Sequence, residues 1–376
     1  MISEKTRDLH FRSLVCDTHQ DTTQRLLSPG FDLAARHGDG AVDIPRLREG
    51  GVGAAFWAVF VPGTITGAAA VEKALAQIRA AHEHVSRHPN DLVLCRTAAE
   101  IRSARALGRI AILLAVEGGH MIHSDLDVLR SFYSLGVRYL TLTHMRNTEW
   151  ADSSTDAPAH NGLTYFGRRA IREMNRLGMM VDVSHASDQT FRDALAVSRA
   201  PLIASHSSCR ALCGSPRNLT DDMMRSLAAA GGVVQINFHV GFLSQGFWAA
   251  EDPRAEIGRE IAAEVKGRAA ADESRKFIEW ERVLREFVAV GKLPRVEWTE
   301  IIEHIVHAVR VVGADHVGIG SDFDGAYMPY GMEDASCLPR ITDALCERGY
   351  SEADIQKILG ANTLRLMEQV EAAAET

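Results

Sequence analysis

The chain has 376 residues, 46% hydrophobic and 24% charged, the balance of an ordinary globular protein with ample material for a large core. A formal net charge of −8 argues against broad nucleic-acid binding, which needs clustered Lys and Arg. No run of about 18 apolar residues is present to cross a bilayer, and the six cysteines (16, 95, 209, 213, 337, 346) are too scattered for a small disulfide framework.

The opening residues, Met1-Ile2-Ser3-Glu4-Lys5-Thr6-Arg7, show no secretory apolar region, so the expected location is the reduced cytoplasm. The sequon Asn218-Leu219-Thr220 is then expected to be silent. The 16 histidines favour metal chemistry.

Leu14 and Val15 open a short apolar run that ends in Cys16-Asp17-Thr18-His19-Gln20-Asp21-Thr22. In an extended strand His19 and Asp21 project from one face and can grip one cation, zinc or a similar divalent ion. Residues 43–51 read as a short helical turn stopped by glycines, and 52–61 as a strand buried on both faces. Helical periodicity follows at 68–88 and 98–107. The strand 110–116 ends in Glu117-Gly118-Gly119-His120. After a helix near 125–135, the strand 137–143 ends at His144. After another near 164–177, the strand 179–183 ends in Ser184-His185. A helix capped by Ser187 runs to about Val197, and the strand 201–204 ends in Ser205-His206. A helix near 220–230 leads to the strand 232–238, and the last strand, 316–320, ends in Ser321-Asp322-Phe323-Asp324.

Eight strands alternating with helices are the signature of an α/β fold of the (β/α)8, or TIM-barrel, kind, here a single domain over 1–376. Residues 245–298, charged and with helical spacing through Ile257, Ile261, Val265, Phe277, Trp280, Leu284 and Phe287, read as a helical insertion between the seventh and eighth strands. It would serve as a lid, an oligomer contact or a solvated excursion packed on the barrel. Residues 361–367 read as a closing helix, with fraying expected beyond about residue 370.

The C-terminal ends of parallel barrel strands converge on one mouth. The fold would therefore gather His19, Asp21, Glu117, His144, His185, His206 and Asp322. These groups exceed the three protein ligands of a single catalytic zinc. They suit two cations about 3.5–4 Å apart, bridged by a carboxylate and a hydroxide, with hydrolysis of a carbonyl bond as the expected chemistry. Cys209 and Cys213 read as small buried residues rather than ligands.

Taken together, Asp17–Asp21, Asp43–Val52, Glu117-Gly118-Gly119, Leu142-Thr143-His144 with Trp150, Asp182–His185, Ser205–Ser208, Arg217-Asn218 and Gly318–Gly325 resemble the membrane (renal) dipeptidase family. These are binuclear zinc peptidases of the amidohydrolase superfamily, and the resemblance runs in order over nearly the whole chain. It implies a dipeptidase with two zinc ions per chain, manganese or cobalt being the alternatives. His19 and Asp21 would hold one ion and His185 and His206 the other, with Glu117 and a hydroxide bridging. That hydroxide would attack the peptide bond of a free dipeptide, L-L or, because the family tolerates a D-residue at the C-terminal position, L-D.

The resemblance also implies that His144 polarises the scissile carbonyl or stabilises the oxyanion, and that Arg217 binds the substrate carboxylate. Asp322 would take a proton from the nucleophile and deliver it to the leaving amine. These three, with Trp150 as wall, would line the substrate site. Asp324 reads as a loop or supporting carboxylate, and Asn218 as a cap for the helix starting near Thr220. Gln20 stands where the family usually has Asn. The signal and lipid anchor of the exported animal members are not recognisable, so the expected member is of the bacterial, membrane-free type, with a dipeptide as its partner and a homodimer admitted. The same residues allow an amidohydrolase acting on N-acyl amino acids or another carboxylate-bearing amide. A non-catalytic metal-binding barrel is a third reading, disfavoured by His144 and Asp322, which metal holding does not need.

Overall fold

The computed structural model describes residues 3–269 and 276–375. The apolar runs form β1 (Val15–Gln20), β2 (Val52–Phe60), β3 (Leu92–Leu94), β4 (Ile110–Glu117), β5 (Val137–Thr141), β6 (Met180–Asp182), β7 (Ile203–Ala204), β8 (Val233–Ile236) and β9 (Val317–Ile319). Eight of them pair in parallel in the order β2-β1-β9-β8-β7-β6-β5-β4, and β2 closes on β4 along Ala54–Phe60 and Ala111–Glu117. The result is a closed (β/α)8 barrel. The unforeseen β3 only extends the edge beside the first residues of β4, Leu92 opposite Ile110 and Leu94 opposite Ile112. Three residues carry too little periodicity to be read as a strand.

Alternation decides what faces inward. Ala54 and Phe56 of β2 join Ala111, Leu113 and Ala115 of β4 in an apolar cluster with Tyr139, Met180, Ile203 and Val233. Their neighbours Ala55, Trp57, Val59, Ile112, Leu114 and Val116 pack in a separate cluster with the helices. Both faces are buried, which is why these strands read as unbroken apolar runs. Glu117 shares the parity of Ala111, Leu113 and Ala115, so β4 delivers its carboxylate to the interior at the C-terminal mouth.

The opposite end is closed by the helix Asn362–Ala372, whose Leu364, Leu366, Met367 and Val370 join the interior cluster. This helix runs past the point where fraying was expected. Val370 is buried, and Glu371 Oε1 accepts a hydrogen bond from Ala98 N at 2.8 Å.

Some ladders are thin, and buried carboxylates supplement them. Only Asp182 and Ile203 are paired between β6 and β7, and only Asp17 and Ile319 between β1 and β9. Asp182 Oδ1 accepts from Ser184 N and Ser205 N (3.0 and 2.8 Å), and its Oδ2 from Thr141 Oγ1 and Ser205 Oγ (both 2.6 Å). Asp17 likewise accepts from His19 N, Gln20 Nε2, Ser321 N and Ser321 Oγ. A buried carboxylate is tolerable because every lone pair finds a donor.

Between β8 and β9 the chain forms the helices Gln245–Glu251, Glu256–Ala269 and Lys276–Ala289 before Thr299–Val312 returns to the barrel wall. The first three surround their own apolar cluster of Phe247, Ile261, Val283, Leu284 and Phe287, joined by Val240. Ile257, Val265 and Trp280 lie partly buried against it; the side chain of Phe277 falls outside the described residues. Among the described residues no helix is long and apolar enough to cross a membrane.

Candidate metal centre

The seven strand-end residues meet at the mouth. Glu117 Oε1 lies 3.1 Å from His185 Nε2, 3.2 Å from His206 Nε2, 3.6 Å from His19 Nε2 and 3.8 Å from His144 Nε2. His19 Nε2 is in turn 3.5 Å from Asp21 Oδ2 and 3.8 Å from Asp322 Oδ1. His19 and Asp21 do not reach each other by simple alternation, however. The register of β1 shifts between Asp17 and Gln20, the strand ends at Gln20, and Asp21 already begins the 3-10 turn Thr22–Leu27.

The backbone is bent to aim these groups. His185, Asp322 and Asp324 all adopt left-handed conformations, φ 65°, 66° and 65°. His and Asp tolerate this region better than most residues, yet each such turn costs about 1–3 kcal/mol and persists only where its surroundings enforce it. Gly325 gives the reason for one glycine: any Cβ there would overlap Asp21 Oδ2 and crowd Asp322 Oδ1.

The donors suit divalent cations. His19 Nε2 is buried with no hydrogen-bond partner although three carboxylates surround it. The two imidazole nitrogens of His185 and His206 face each other at 3.0 Å beside Glu117. Burial, reinforced by Arg217 for His185 and by His19 and Arg217 for His206, pushes both well below the ordinary histidine range, which leaves their lone pairs free. Burial raises Glu117, but the surrounding imidazoles outweigh it and hold the carboxyl well below its usual range. His185 and His206 as neutral imidazoles beside an ionised Glu117 are ligand forms a zinc-type ion requires. Burial lowers His19 too, but Tyr139, Glu117 and Asp21 outweigh it and hold that imidazole well above the ordinary range, so a cation there displaces a proton. Three overlapping groups of candidate donors emerge: His19, Asp21 and Glu117; Glu117, His144 and His185; and His19, His206 and Asp322.

Around this centre stand the remaining residues singled out in the sequence. His144 is at the open edge, partly exposed, its ring 4.3 Å from that of His185, and a cavity of about 280 Å³ opens beside it. Arg217 is buried; its Nη1 donates to Ser207 Oγ and its Nη2 to the His206 carbonyl, while Nε has no partner. Burial lowers this guanidinium to about 10. Asp322 accepts a 2.9 Å hydrogen bond from Asn237 Nδ2. Trp150 sits behind the Glu117 turn, fully buried, where its indole leaves no room for a Cβ on Gly119. Asp324 ties loops together, accepting from Ala41 N and Thr22 Oγ1. Gln20 reaches Asp17 at 2.8 Å.

The expected helix cap is also corrected. Asn218 does not cap the following helix, Asp221–Ala229; Thr220 does, through Met223 N. Asn218 Nδ2 instead joins the Cys213 and Phe242 carbonyls. Cys209 and Cys213 are buried and unpaired, with their thiols on carbonyl oxygens of His304 and Gly241.

Three residues at the site had no place in the sequence reading: Tyr139, Ser205 as a partner of His206, and Asn237. Asn237 had a signal, because the strand 232–238 was the one barrel strand after the second with no polar residue assigned to its end. Tyr139, inside an apolar run, had none.

Comparison with known proteins agrees with this geometry. A family model described as membrane dipeptidase (peptidase family M19) matches residues 3–376. Mouse dipeptidase 3 is 35% identical over 342 residues, which cover 89% of this chain and 59% of the mouse protein, so the chain spans little more than half of that relative's length. The crystal structure of the probable dipeptidase PvdM from Pseudomonas aeruginosa superposes with a TM-score of 0.82 at 27% identity, covering 99% of this chain and 98% of that one. A metallopeptidase from Rhodobacter sphaeroides, solved with a phosphinate mimic of the dipeptide L-Ala-D-Ala, has a TM-score of 0.78 and 30% identity, covering 95% and 99%.

Proposed function

Since the chain belongs to the membrane dipeptidase family, peptidase family M19, we propose that it is a metal-dependent dipeptidase that cleaves free L-L and L-D dipeptides. The observation that carries this reading is the convergence of His19, His185 and His206 on one oxygen of Glu117, with Arg217 and Asp322 beside them. The phosphinate mimic of L-Ala-D-Ala bound in the Rhodobacter sphaeroides relative supports including L-D dipeptides.

In this reading His19 and Asp21 would hold one cation and His185 and His206 a second, with Glu117 shared between them. Imidazole and carboxylate donors take zinc, with manganese or cobalt as alternatives. Two such cations supply Lewis-acid activation of a water and of the scissile carbonyl. The rest is done by the protein. Arg217, its Nε unsatisfied in a buried setting, receives the α-carboxylate and fixes substrate length. His144, reaching in from the open edge, donates to the carbonyl oxygen as negative charge develops there. Asp322, oriented by Asn237, accepts the proton of the attacking water and passes it to the departing amine.

The test is a panel of L-L, L-D and N-acetylated dipeptides given to metal-replete protein, with metal counted on the same sample. Cleavage of the free dipeptides by protein carrying about two cations per chain is expected. Cleavage of only the acylated compounds would move the protein to amidohydrolases of N-acyl amino acids. Arg217→Met should raise KM for a dipeptide about 10²-fold, as loss of a charge-assisted anchor does. The corresponding dipeptide amide, which lacks the carboxylate, should show no further loss.

A further inference from the structure

Each candidate metal-binding histidine has a second ring nitrogen, and the fold treats these unequally. His19 Nδ1 lies 2.7 Å from the Tyr139 hydroxyl, which is itself 2.9 Å from the Thr18 carbonyl. A carbonyl only accepts, so the single phenolic proton goes to Thr18. The hydroxyl must therefore accept from His19, which puts the imidazole proton on Nδ1 and the lone pair on Nε2, toward Glu117 and Asp21. His206 is governed in the same way by different atoms. Its Nδ1 is 2.7 Å from Ser205 Oγ, whose proton is given to Asp182 Oδ2 at 2.6 Å. The backbone donors Ser184 N and Ser205 N and the Thr141 hydroxyl fill the remaining acceptor positions of Asp182. His185 has no such arrangement; its Nδ1 is buried without a partner.

We infer that Tyr139 and the Ser205–Asp182 pair are two adjoining positioning devices, the first locking His19 for one cation and the second locking His206 for the other. This rests on the ligand assignment proposed above. Tyr139 does more than fill space in this account: its ring packs 5.4 Å from that of Phe56 among the interior residues, while its oxygen meets His19, the Thr18 carbonyl and the Ser205 side chain. Tyr139→Phe keeps the ring and removes that oxygen alone.

The experiment is a chelator-competition titration of metal-stripped protein with Zn2+, resolving two stepwise constants. Partners of this kind are typically worth 10- to 100-fold in metal affinity. Tyr139→Phe should weaken one step by about that factor and leave the other within about threefold, and Ser205→Ala should do the same to the other step. The double variant should weaken both steps, with any departure from the sum of the single effects measuring the coupling between the two neighbouring devices. Phe56→Leu, which disturbs the same packing but keeps the phenol, should move neither. In the wild type, 15N imidazole shifts should report the Nδ1–H tautomer for His19 and His206. Unchanged constants in Tyr139→Phe, or both single variants weakening the same step, would overturn the inference while leaving the dipeptidase reading intact. Wild-type protein that takes up no zinc would overturn the ligand assignment and the inference together.

Discussion

Replacing Asp322 by Asn should reduce kcat by about 10²–10⁴-fold, the usual worth of a positioned acid–base group, while the metal count per chain stays at the wild-type value. The substitution is close to isosteric. Asp322 Oδ2 accepts from Asn237 Nδ2, and an amide oxygen can take that bond unchanged. The left-handed backbone at this position is also one that Asn adopts readily. What disappears is the ability to carry a proton. Measuring kcat, KM and bound metal on one preparation separates two roles. Asp322 Oδ1 is also near enough to His19 and His206 to be a ligand atom, and in that case metal and activity would fall together.

Glu117→Gln should act on the metal itself. Among the described residues this carboxylate is the one ion-pair partner common to His19, His185 and His206, and it is buried. Removing one partner of a buried charge interaction costs about 3–5 kcal/mol, which at 1.4 kcal/mol per decade is roughly 10²–10⁴-fold in cation affinity. At micromolar zinc the variant should lose at least one cation and nearly all turnover, and activity should return in part as zinc is raised. A titration of activity against free Zn2+ checks this. A variant that retains both ions at wild-type affinity would show that Glu117 does not bridge.

The barrel and its mouth were legible because one physical rule generates both. Strands buried on two faces must be apolar, so the point where an apolar run gives way to His, Glu or Asp marks the wall's upper edge. Glu117, His144, His185, His206 and Asp322 are such points. The hidden part consists of residues whose function depends on a partner distant in sequence. Tyr139 lies among Val137, Leu140 and Thr141 and reads as a core aromatic; only the fold brings its hydroxyl to His19, 120 residues away. Asp182 and Ser205 read as strand termini, and their hydrogen bond joins strands with a helix between them. Asn218 stands two residues too early to cap, and Thr220, immediately before the helix, has the extended φ and ψ that a cap needs.

The uneven ladders of the barrel give its circumference a stiff side and a soft one. Along β2 and β4 seven consecutive residues are paired, and that sector stands on backbone alone. Between β6 and β7 one residue pair is joined, and Asp182 adds two links through its own oxygens, beside the Val183 N bond to the Ile203 carbonyl and the His206 N bond to Ser184 Oγ. His185 and His206 leave from these two strands. Any breathing of the soft sector therefore pulls the two imidazoles apart, and holding them together closes that sector, so the order of the wall and the order of the donors are one local equilibrium. Around such a ring, the sector in which a substitution falls, more than its depth in the core, sets how strongly it reaches the chemistry.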